Sequence, residues 1–170
     1  MSGSAASSVI RPAHAGDDGF ILGLVGRFTA FDLPAGRDRD TVTGAIRNDL
    51  QAHLRERSPT SSFFIIEGAG APAGFLHLQQ VQDFFGEGQH CHVSDLAIAP
   101  GFEGRGLAGL LLAHAESFAR QQGCTRLTLS VFPGNARARS LYERHGFGLD
   151  LLRMGKPLGD LDPADLNPAD

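Results

Sequence analysis

The fold of this chain is decided by residues 96–109, which read Leu96-Ala97-Ile98-Ala99-Pro100-Gly101-Phe102-Glu103-Gly104-Arg105-Gly106-Leu107-Ala108-Gly109. The stretch predicts a strand that ends at Pro100, then a glycine-rich loop, then a helix that begins near Leu107. Such a helix start exposes free backbone N–H groups and the positive end of the helix dipole. Because the glycines remove side chains that would block an anion, a pyrophosphate fits this site.

Residues 104–109 also match the dinucleotide-binding motif G-x-G-x-x-G when it is read literally. A dinucleotide-binding fold needs that motif in its first βαβ unit, and it needs an acidic residue at the end of the following strand. Here the motif lies past residue 100, and the next strand ends in Ser130-Val131-Phe132, which has no carboxylate. A nicotinamide cofactor is therefore excluded, and phosphate binding and a simple tight turn remain as alternatives.

The sequence on both sides of this stretch predicts elements in the order β-α-α-β-β-β-α-β-α-β. This order indicates an α+β fold with a mixed, mostly antiparallel sheet. Asp17 or Asp18 is expected to cap the first helix, and Asp40 or Thr41 the second. The predicted strands are residues 9–11, 63–66, 73–85, 90–99, 127–131 and about 146–154.

A length of 170 residues predicts one domain over residues 9–156, with a disordered tail at residues 1–8 and an acidic, proline-rich tail at 157–170. The net charge of −4 argues against a sequence-independent nucleic-acid binder, and the lack of a long apolar run excludes a membrane span. The N-terminus does not resemble a signal peptide, and the two cysteines lie outside any C-x-x-C motif. We therefore expect a cytoplasmic protein with reduced thiols, and the arginine and alanine bias favours a bacterial source.

A second motif runs from Asn135 to Phe147 and contains Tyr142, the only tyrosine of the chain. The motif follows a predicted strand, and it predicts a helix that Asn135 caps. A phenol at this place can donate a proton to a leaving thiolate. The Asn135 side chain can hydrogen-bond an amide of a ligand.

Three pieces of the chain together resemble the GCN5-related N-acetyltransferase (GNAT) superfamily, namely residues 96–100, residues 103–108 and the motif from Asn135 to Phe147. The resemblance covers about residues 63–156, and the order of elements extends it back to residue 9. It implies a single domain whose central sheet is splayed between the fourth and fifth strands and flanked by about four helices. It also implies acetyl-CoA as the acetyl donor.

The resemblance assigns most contacts with the donor to the backbone. Leu96, Ala97 and Ile98 would bond the pantetheine amides, and Asn135 would contact the pantetheine arm. Tyr142 would protonate the departing CoA thiolate. The pyrophosphate would lie on the loop and the first helical turn, at Gly104, Arg105, Gly106, Leu107, Ala108 and Gly109.

One residue departs from the family's pattern, because the family's loop usually begins with Gln or Arg and this chain has Glu103. A carboxylate beside a pyrophosphate is unfavourable unless it points to solvent. Arg105 is the residue expected to offset its charge. We therefore expect Glu103 to lower the affinity for CoA and to leave the fold unchanged.

The sequence offers three candidates for the base that takes a proton from an amine acceptor, namely His90, His92 and Asp95. Alternation along a strand places both histidines on one face and Asp95 on the other, unless a bulge shifts the register. Some relatives carry a glutamate in the next strand, where this chain has Ser130. His92 is our candidate base because a histidine needs little pKa tuning for this task. Deprotonation through water remains the alternative.

We therefore predict an acetyl-CoA-dependent N-acetyltransferase that moves an acetyl group to a primary amine of a small molecule, peptide or protein by direct attack in a ternary complex. The alternative is a non-catalytic acyl-CoA-binding sensor or interaction module of the same fold. His90 and His92 lack a third ligand at motif spacing, so no metal is expected. The expected partners are acetyl-CoA, an amine acceptor and a second copy in a homodimer. Phe28, Phe31 and Phe84 are candidates for the acceptor pocket.

Overall fold

The computed structural model describes residues 8–86 and 88–159. The strands are β1 (Val9–Pro12), β2 (Ser61–Gly68), β3 (Ala71–Gln82), β4 (Gln89–Ile98) and β5 (Leu127–Leu129). The α-helices are α1 (Asp18–Gly23), α2 (Arg39–Glu56), α3 (Leu107–Gln121) and α4 (Ala136–Arg144), and two 3-10 turns, Ala15–Asp17 and Val25–Thr29, flank α1. These elements follow the predicted order, with the exception of the last strand.

The strands form one mixed sheet in the order β1-β2-β3-β4-β5. Strands β1 to β4 pair antiparallel, and β5 lies parallel to β4 because α3 carries the chain back across the sheet. The pairing between β4 and β5 joins only Cys91, His92 and Val93 to residues 127–129. Beyond Val93, β4 continues to Ile98 without β5 beside it. The prediction of a mixed sheet splayed between its fourth and fifth strands is confirmed.

Both faces of the sheet pack against helices, and each face has its own core. We call them the α1–α2 face and the α3 face. The core on the α1–α2 face includes Ile21, Val25, Leu50, Phe63, Ile65, Phe75 and Ala97. The core on the α3 face includes Phe64, Ile66, Leu76, Leu78, Val93, Leu107 and Leu111. Neighbours on β3 such as Phe75 and Leu76 enter different cores because successive side chains of a strand point to opposite faces.

The first predicted helix is shorter than expected. Helix α1 ends at Gly23, and a 3-10 turn continues the chain to Thr29. Gly19, Gly23 and Gly26 explain the break, because each glycine lowers the helix propensity of this segment. Among the helices of the described residues, none has the length and apolar character needed to cross a bilayer.

Asp17 is the N-cap residue of α1 as predicted but makes no capping hydrogen bond, and the cap predicted for the second helix is wrong. Asp17 precedes α1, but its carboxylate pairs with the Arg11 guanidinium at 2.8 Å instead of bonding a helical N–H. This pairing lowers the pKa of Asp17 to about 2. Helix α2 is capped by Asp38, whose carboxylate accepts a hydrogen bond from the Thr41 backbone N–H at 2.8 Å. Asp40, one of the predicted caps, lies in the first turn of α2 instead.

The strand predicted for about residues 146–154 is also wrong. Residues 149–159 form no regular secondary structure, and the side chain of Leu149 is 85% exposed. Two adjacent leucines, Leu151 and Leu152, break the period-2 alternation of a half-buried strand. Of the predicted tails, residues 1–7 and 160–170 lie outside the described residues.

Candidate active site

The separation of β4 from β5 leaves one edge of β4 open. The backbone N–H of Ala99 donates to the Ala73 carbonyl of β3 at 2.8 Å. Because an antiparallel strand alternates the side to which its peptide groups point, Ala97 also faces β3, and Leu96 and Ile98 face the opposite side. There β5 has already ended at Leu129. Of the three predicted pantetheine-binding residues, Leu96 and Ile98 therefore present their peptide groups to the open edge.

The glycine-rich loop connects this open edge to α3. Gly101, Gly104 and Gly106 have φ angles of 84°, 73° and 76°, which is the left-handed region that side chains disfavour. Open space lies where a Cβ of Gly104 or Gly106 would be. Gly106 is also the N-cap of α3 and offers no side chain to the first helical turn. The N–H groups of that turn remain available to an anion.

Three of the residues predicted to bind the pyrophosphate make contacts of a different kind. The Arg105 guanidinium donates to the Gly101 carbonyl at 2.8 Å and lies over the Phe102 ring at 5.3 Å. Arg105 therefore stabilises the loop to which it belongs. A Cβ on Gly109 would lie 3.0 Å from Nε2 of His145, so Gly109 lets the end of α4 approach α3. Leu107 is buried in the core of the α3 face.

Glu103, the residue that departs from the family's pattern, is bound by two arginines. Its carboxylate accepts hydrogen bonds from Arg27, in the turn after α1, and from Arg137, at the start of α4. The hydrogen bond from Arg27 and the charge of both arginines lower the pKa of Glu103. The carboxylate is therefore matched by two positive charges, and Arg105, the predicted partner, bonds elsewhere. These contacts join the glycine-rich loop to the 3-10 turn after α1 and to the start of α4.

Asn135 is the N-cap of α4, and Tyr142 lies within this helix, close enough to β4 for the charge of Asp95 to act on it. The Asn135 side chain caps the helix by accepting from the Ala138 N–H at 3.1 Å, as predicted from the sequence. Tyr142 lies seven residues later, which is two turns along the same helix face. Its ring packs edge-on against Phe147 at 5.9 Å between centroids. Burial, and then the charge of Asp95 on β4, raise the pKa of Tyr142.

A bulge in β4 brings the candidate bases to one face. His77 of β3 is opposite Asp95, while the next residue, Leu78, is opposite Val93, so Ser94 is the extra residue. Simple alternation would have separated Asp95 from His92, and the bulge places both on the α1–α2 face. The sequence alone left this register open.

His92 lies at the point where the two strands part. Its Nδ1 is 2.8 Å from the Thr128 Oγ1 of β5. Burial, and then the nearby His90, lower the pKa of His92. The ring is therefore neutral at neutral pH and can accept a proton. His90 lies two residues earlier on β4, with its Nδ1 3.6 Å from the Asp83 carboxylate.

The sequence analysis missed a buried hydrogen-bonded chain beside these residues. His77 is fully buried, with Nε2 2.8 Å from the Ser61 Oγ and Nδ1 2.9 Å from the Asp95 Oδ2. The only signal for it in the sequence is one histidine inside the apolar strand Gly74-Phe75-Leu76-His77-Leu78. Within the described residues, three or more His, Cys, Asp or Glu side chains do not converge as a metal site would require.

The aromatic residues proposed for the acceptor pocket have separate surroundings. Phe28 packs edge-on against Phe75, and Phe31 packs against Phe132 at 5.9 Å between centroids. Phe31 thereby joins the loop after α1 to the loop before α4. The interpretation of Phe84 is wrong, because its side chain is 93% exposed at the tip of the β3–β4 hairpin.

Comparison with known proteins identifies the family and the fold of this chain. A family model described as the acetyltransferase (GNAT) family matches residues 32–147. The chain is similar to the streptothricin acetyltransferase of Streptomyces lavendulae, with 34% identity over 98 residues. That match covers 56% of this chain and 50% of the other, so the chain spans about half the length of this relative.

Two further comparisons extend over most of the chain. An uncharacterized N-acetyltransferase of Bacillus subtilis, YhfO, is 29% identical over 141 residues, which cover 83% of this chain and 90% of YhfO. The solved structure of an aminoglycoside N-acetyltransferase in complex with CoA superposes with a TM-score of 0.69 at 18% identity. It covers 94% of this chain and all of the other, and this likeness is one of fold.

Proposed function

The chain belongs to the GNAT family of acetyltransferases, and from this premise we propose that it transfers an acetyl group from acetyl-CoA to a primary amine. The acceptor is a small molecule, a peptide or a protein, and it attacks directly in a ternary complex. The observation that carries the proposal is the open edge of β4 with Tyr142 near it. A strand that gives up its neighbour leaves unpaired peptide groups, which are costly unless a ligand or water bonds them.

The donor site is proposed along this edge and the loop that follows it. The peptide groups of Leu96 and Ile98 bond the pantetheine arm, with Ala97 between them, and Asn135 contacts the arm from α4. The N–H groups at Gly104, Gly106 and the first turn of α3 hold the pyrophosphate. Bound acetyl-CoA supplies a thioester that is activated toward amines. A backbone N–H at the open edge stabilises negative charge on the carbonyl oxygen.

Tyr142 is proposed as the general acid. Its raised pKa keeps the phenol protonated at neutral pH, so a proton is available for the departing sulfur. His92 is proposed as the base, because its lowered pKa keeps the imidazole neutral. The ammonium acceptor loses one proton to His92 and attacks, so that a nitrogen–carbon bond replaces the carbon–sulfur bond, and Tyr142 protonates the departing thiolate. The acylated nitrogen then releases its second proton, which restores the phenol of Tyr142 and leaves a neutral amide. Proton transfer through water is the alternative to His92.

The non-catalytic alternative loses one of its two supports. It drew on Glu103, whose charge would oppose a pyrophosphate, and on Ser130, where some relatives carry a glutamate. The carboxylate is bound by Arg27 and Arg137, so its charge is already matched. We propose that these arginines, held at the mouth of the loop, also attract the phosphates of CoA. A cytoplasmic location, where acetyl-CoA is made and used, and a homodimer are parts of the same proposal.

The first experiment is titration calorimetry of acetyl-CoA into the wild-type protein and into Gly106→Trp. We expect micromolar binding by the wild type and loss of binding in the variant, because an indole would fill the open space above the loop. Gly148→Trp, on an exposed glycine with free space around it, is the matched control and should bind normally. Wild-type protein that does not bind acetyl-CoA would overturn the proposal.

The second experiment tests transfer with a panel of primary amines, including amino acids, polyamines, aminoglycosides and peptides, with thiol release as the readout. Initial rates at varied concentrations of both substrates should give intersecting lines, as a ternary complex requires. Parallel lines would indicate a covalent acetyl-enzyme and contradict direct attack. Binding of acetyl-CoA without thiol release for any amine would restore the sensor interpretation.

A further inference from the structure

The chain of hydrogen bonds through His77 crosses three strands on the α1–α2 face. It begins at Ser61 on β2, passes through His77 on β3 and ends at Asp95 on β4. The His77 ring stacks on Phe63 with 4.0 Å between centroids and 6° between planes. On its other side lies His53 of α2, with 4.9 Å between centroids. The imidazole is therefore held in one orientation by packing as well as by hydrogen bonds.

The chemistry of the partners fixes the direction of these hydrogen bonds. An ionised carboxylate only accepts hydrogen bonds, so Nδ1 of His77 carries a hydrogen and donates it to Asp95. In the neutral ring, Nε2 then accepts from the Ser61 hydroxyl. His77 occupies Oδ2 of Asp95, which leaves the second carboxylate oxygen free of His77. The side chain of Asp95 is 11% exposed, so the carboxylate is not sealed in the core as His77 is.

The position of Asp95 connects this chain to the proposed chemistry. The bulge at Ser94 places Asp95 on the same face as His92, the proposed base. The charge of Asp95 raises the pKa of Tyr142, the proposed acid, and acts on His92 as well. Asp95 thus shares a face of the sheet with the proposed base, and its charge reaches the proposed acid. A carboxylate at this place attracts a positive charge.

We propose that Asp95 binds the ammonium group of the acceptor and that His77 is the positioning residue that holds Asp95 for this task. The inference deepens the proposed function and rests on it. It commits to acceptors that arrive as protonated primary amines and hydrogen-bond the free carboxylate oxygen. Once His92 has removed one proton, the remaining N–H keeps the amine beside Asp95, with its lone pair available for attack. Aromatic or weakly basic amines lack the charge that this subsite binds.

Two substitutions of His77 separate positioning from simple structural support. The side-chain amide of His77→Asn lies near the position of Nδ1 and can still donate to Asp95, whereas that of His77→Gln lies near Nε2 and reaches only Ser61. Both lose the stacking on Phe63, so both should lose similar thermal stability. We expect His77→Gln to raise the KM for the amine by about tenfold, because a charged hydrogen bond is released. His77→Asn should stay within about threefold of the wild type.

The charge itself is tested with Asp95→Asn. We expect the KM for the amine to rise by at least about tenfold, while the Kd for acetyl-CoA stays unchanged. Equal effects of His77→Asn and His77→Gln, or an unchanged KM in Asp95→Asn, would overturn the proposal. If both His77 variants fail to fold, Ser61→Ala tests the far end of the chain, with Ser62→Ala on the opposite face as its control. Ser61→Ala should raise the KM by severalfold and Ser62→Ala should not.

A readout independent of turnover comes from Tyr142, because the chain has one tyrosine and no tryptophan. Alkaline titration of tyrosine absorbance therefore reports Tyr142 alone. Removing the charge in Asp95→Asn should lower this pKa, His77→Gln should shift it in the same direction, and His77→Asn should leave it in place. Circular dichroism at each pH verifies that the protein remains folded.

The same readout separates the failure of this inference from that of the proposed function. If the wild type acetylates no amine, the proposed function fails, and the Tyr142 titration still tests how His77 holds Asp95. If the wild type acetylates amines and the three titrations coincide, only the inference fails. A titration that follows the expected order together with an unchanged KM would show that Asp95 is held by His77 but does not bind the amine.

Discussion

Strand β4 is paired with β5 at one end and unpaired with it at the other, and the two ends differ in packing and in chemistry. At the paired end, Cys91 of β4 packs with Ala119 and Cys124, and all three are buried. The two sulfur atoms are 3.3 Å apart and both thiols are free. Burial and the neighbouring Cys124 raise the pKa of Cys91 to about 12, so this thiol is inert at neutral pH. This end holds the sheet together.

The splayed end begins at Ser94, directly after the last residue of β4 that pairs with β5, and contains what the paired end lacks. It has an open strand edge and the carboxylate of Asp95, whose charge acts on the phenol of Tyr142. Pro133, four residues after the end of β5, has no N–H to add to the sheet. Gly134 then approaches Asp32 so closely that a Cβ would clash with its carbonyl oxygen. Where the strand is paired it contributes stability, and where it is open it can bind a ligand.

The largest expected effect is at the splayed end, in Tyr142→Phe. We expect kcat to fall about 10- to 1,000-fold, because the proposed general acid is lost. The aromatic contact with Phe147 survives, so the melting temperature and the Kd for acetyl-CoA should not change. Steady-state kinetics with thiol detection, together with calorimetry, measures both quantities. An unchanged kcat would remove Tyr142 from the mechanism.

The paired end should respond in the opposite way. In Cys91→Ser a hydroxyl replaces a fully buried thiol, and we expect the free energy of unfolding to drop by about 1–3 kcal/mol. The kcat of the folded variant should remain that of the wild type. Urea denaturation followed by circular dichroism gives the first number. Cys124→Ser, at a slightly more exposed position, is the control and should be milder. A large loss of kcat in Cys91→Ser would mean that the two ends are not separate.

The glycine-rich loop tests how far the splayed end depends on backbone conformation. In Gly104→Ala a side chain enters a position with a φ of 73°, a strain of about 1–2 kcal/mol. If the strain is relieved in the free loop and restored on binding, the Kd for acetyl-CoA rises by about 5- to 30-fold. Gly44→Ala, a helical glycine with open space around it, is the matched control and should bind normally. Equal affinities of Gly104→Ala and the wild type would argue that the loop does not hold the pyrophosphate.

The same division explains how much the sequence could predict. The cap by Asn135 was predictable because it depends on a local backbone requirement. The splay was implied by the resemblance of residues 96–108 and of the motif from Asn135 to Phe147 to the GNAT superfamily. The bulge at Ser94 was not, because it depends on the register against β3, which no local pattern in β4 encodes. His77 was missed because a histidine inside an apolar strand resembles a packing residue until its partners on two other strands are known.

Glu103 and the predicted last strand were also misjudged, because both depend on residues that are distant in the sequence. The effect of Glu103 could not be derived from its own loop, because its partners Arg27 and Arg137 come from distant parts of the chain. The sequence predicts a last strand over about residues 146–154, but strand formation also requires a neighbouring strand and a surface to cover. Residues 149–159 have neither, and the side chains of Leu149 and Met154 remain exposed. Local pattern proposes an element, and tertiary packing decides whether it forms.

The smallest expected effect is a pH dependence that divides between two histidines. Burial lowers the pKa of His92 on β4 and the pKa of His114 on α3. The ring of His114 packs against Phe64. Because the unfolded chain binds protons more readily at both positions, their contribution to stability is complete above the unfolded pKa of about 6.5 and is lost as the pH falls toward the folded values. The melting temperature should therefore drop by a few degrees between pH 7.5 and 5.5.

Two variants sharpen this last comparison, because only one of the two histidines lies at the proposed site. His114→Gln should remove part of the pH dependence of the melting temperature and leave the pH dependence of kcat as in the wild type. His92→Gln should reduce both, since this residue is proposed to take the proton of the acceptor. Melting curves and rate profiles over the same pH range provide the test. If His92→Gln keeps the acid limb of the wild-type rate profile, the proton passes to water instead, and the splayed end contributes an acid and a binding carboxylate but no base.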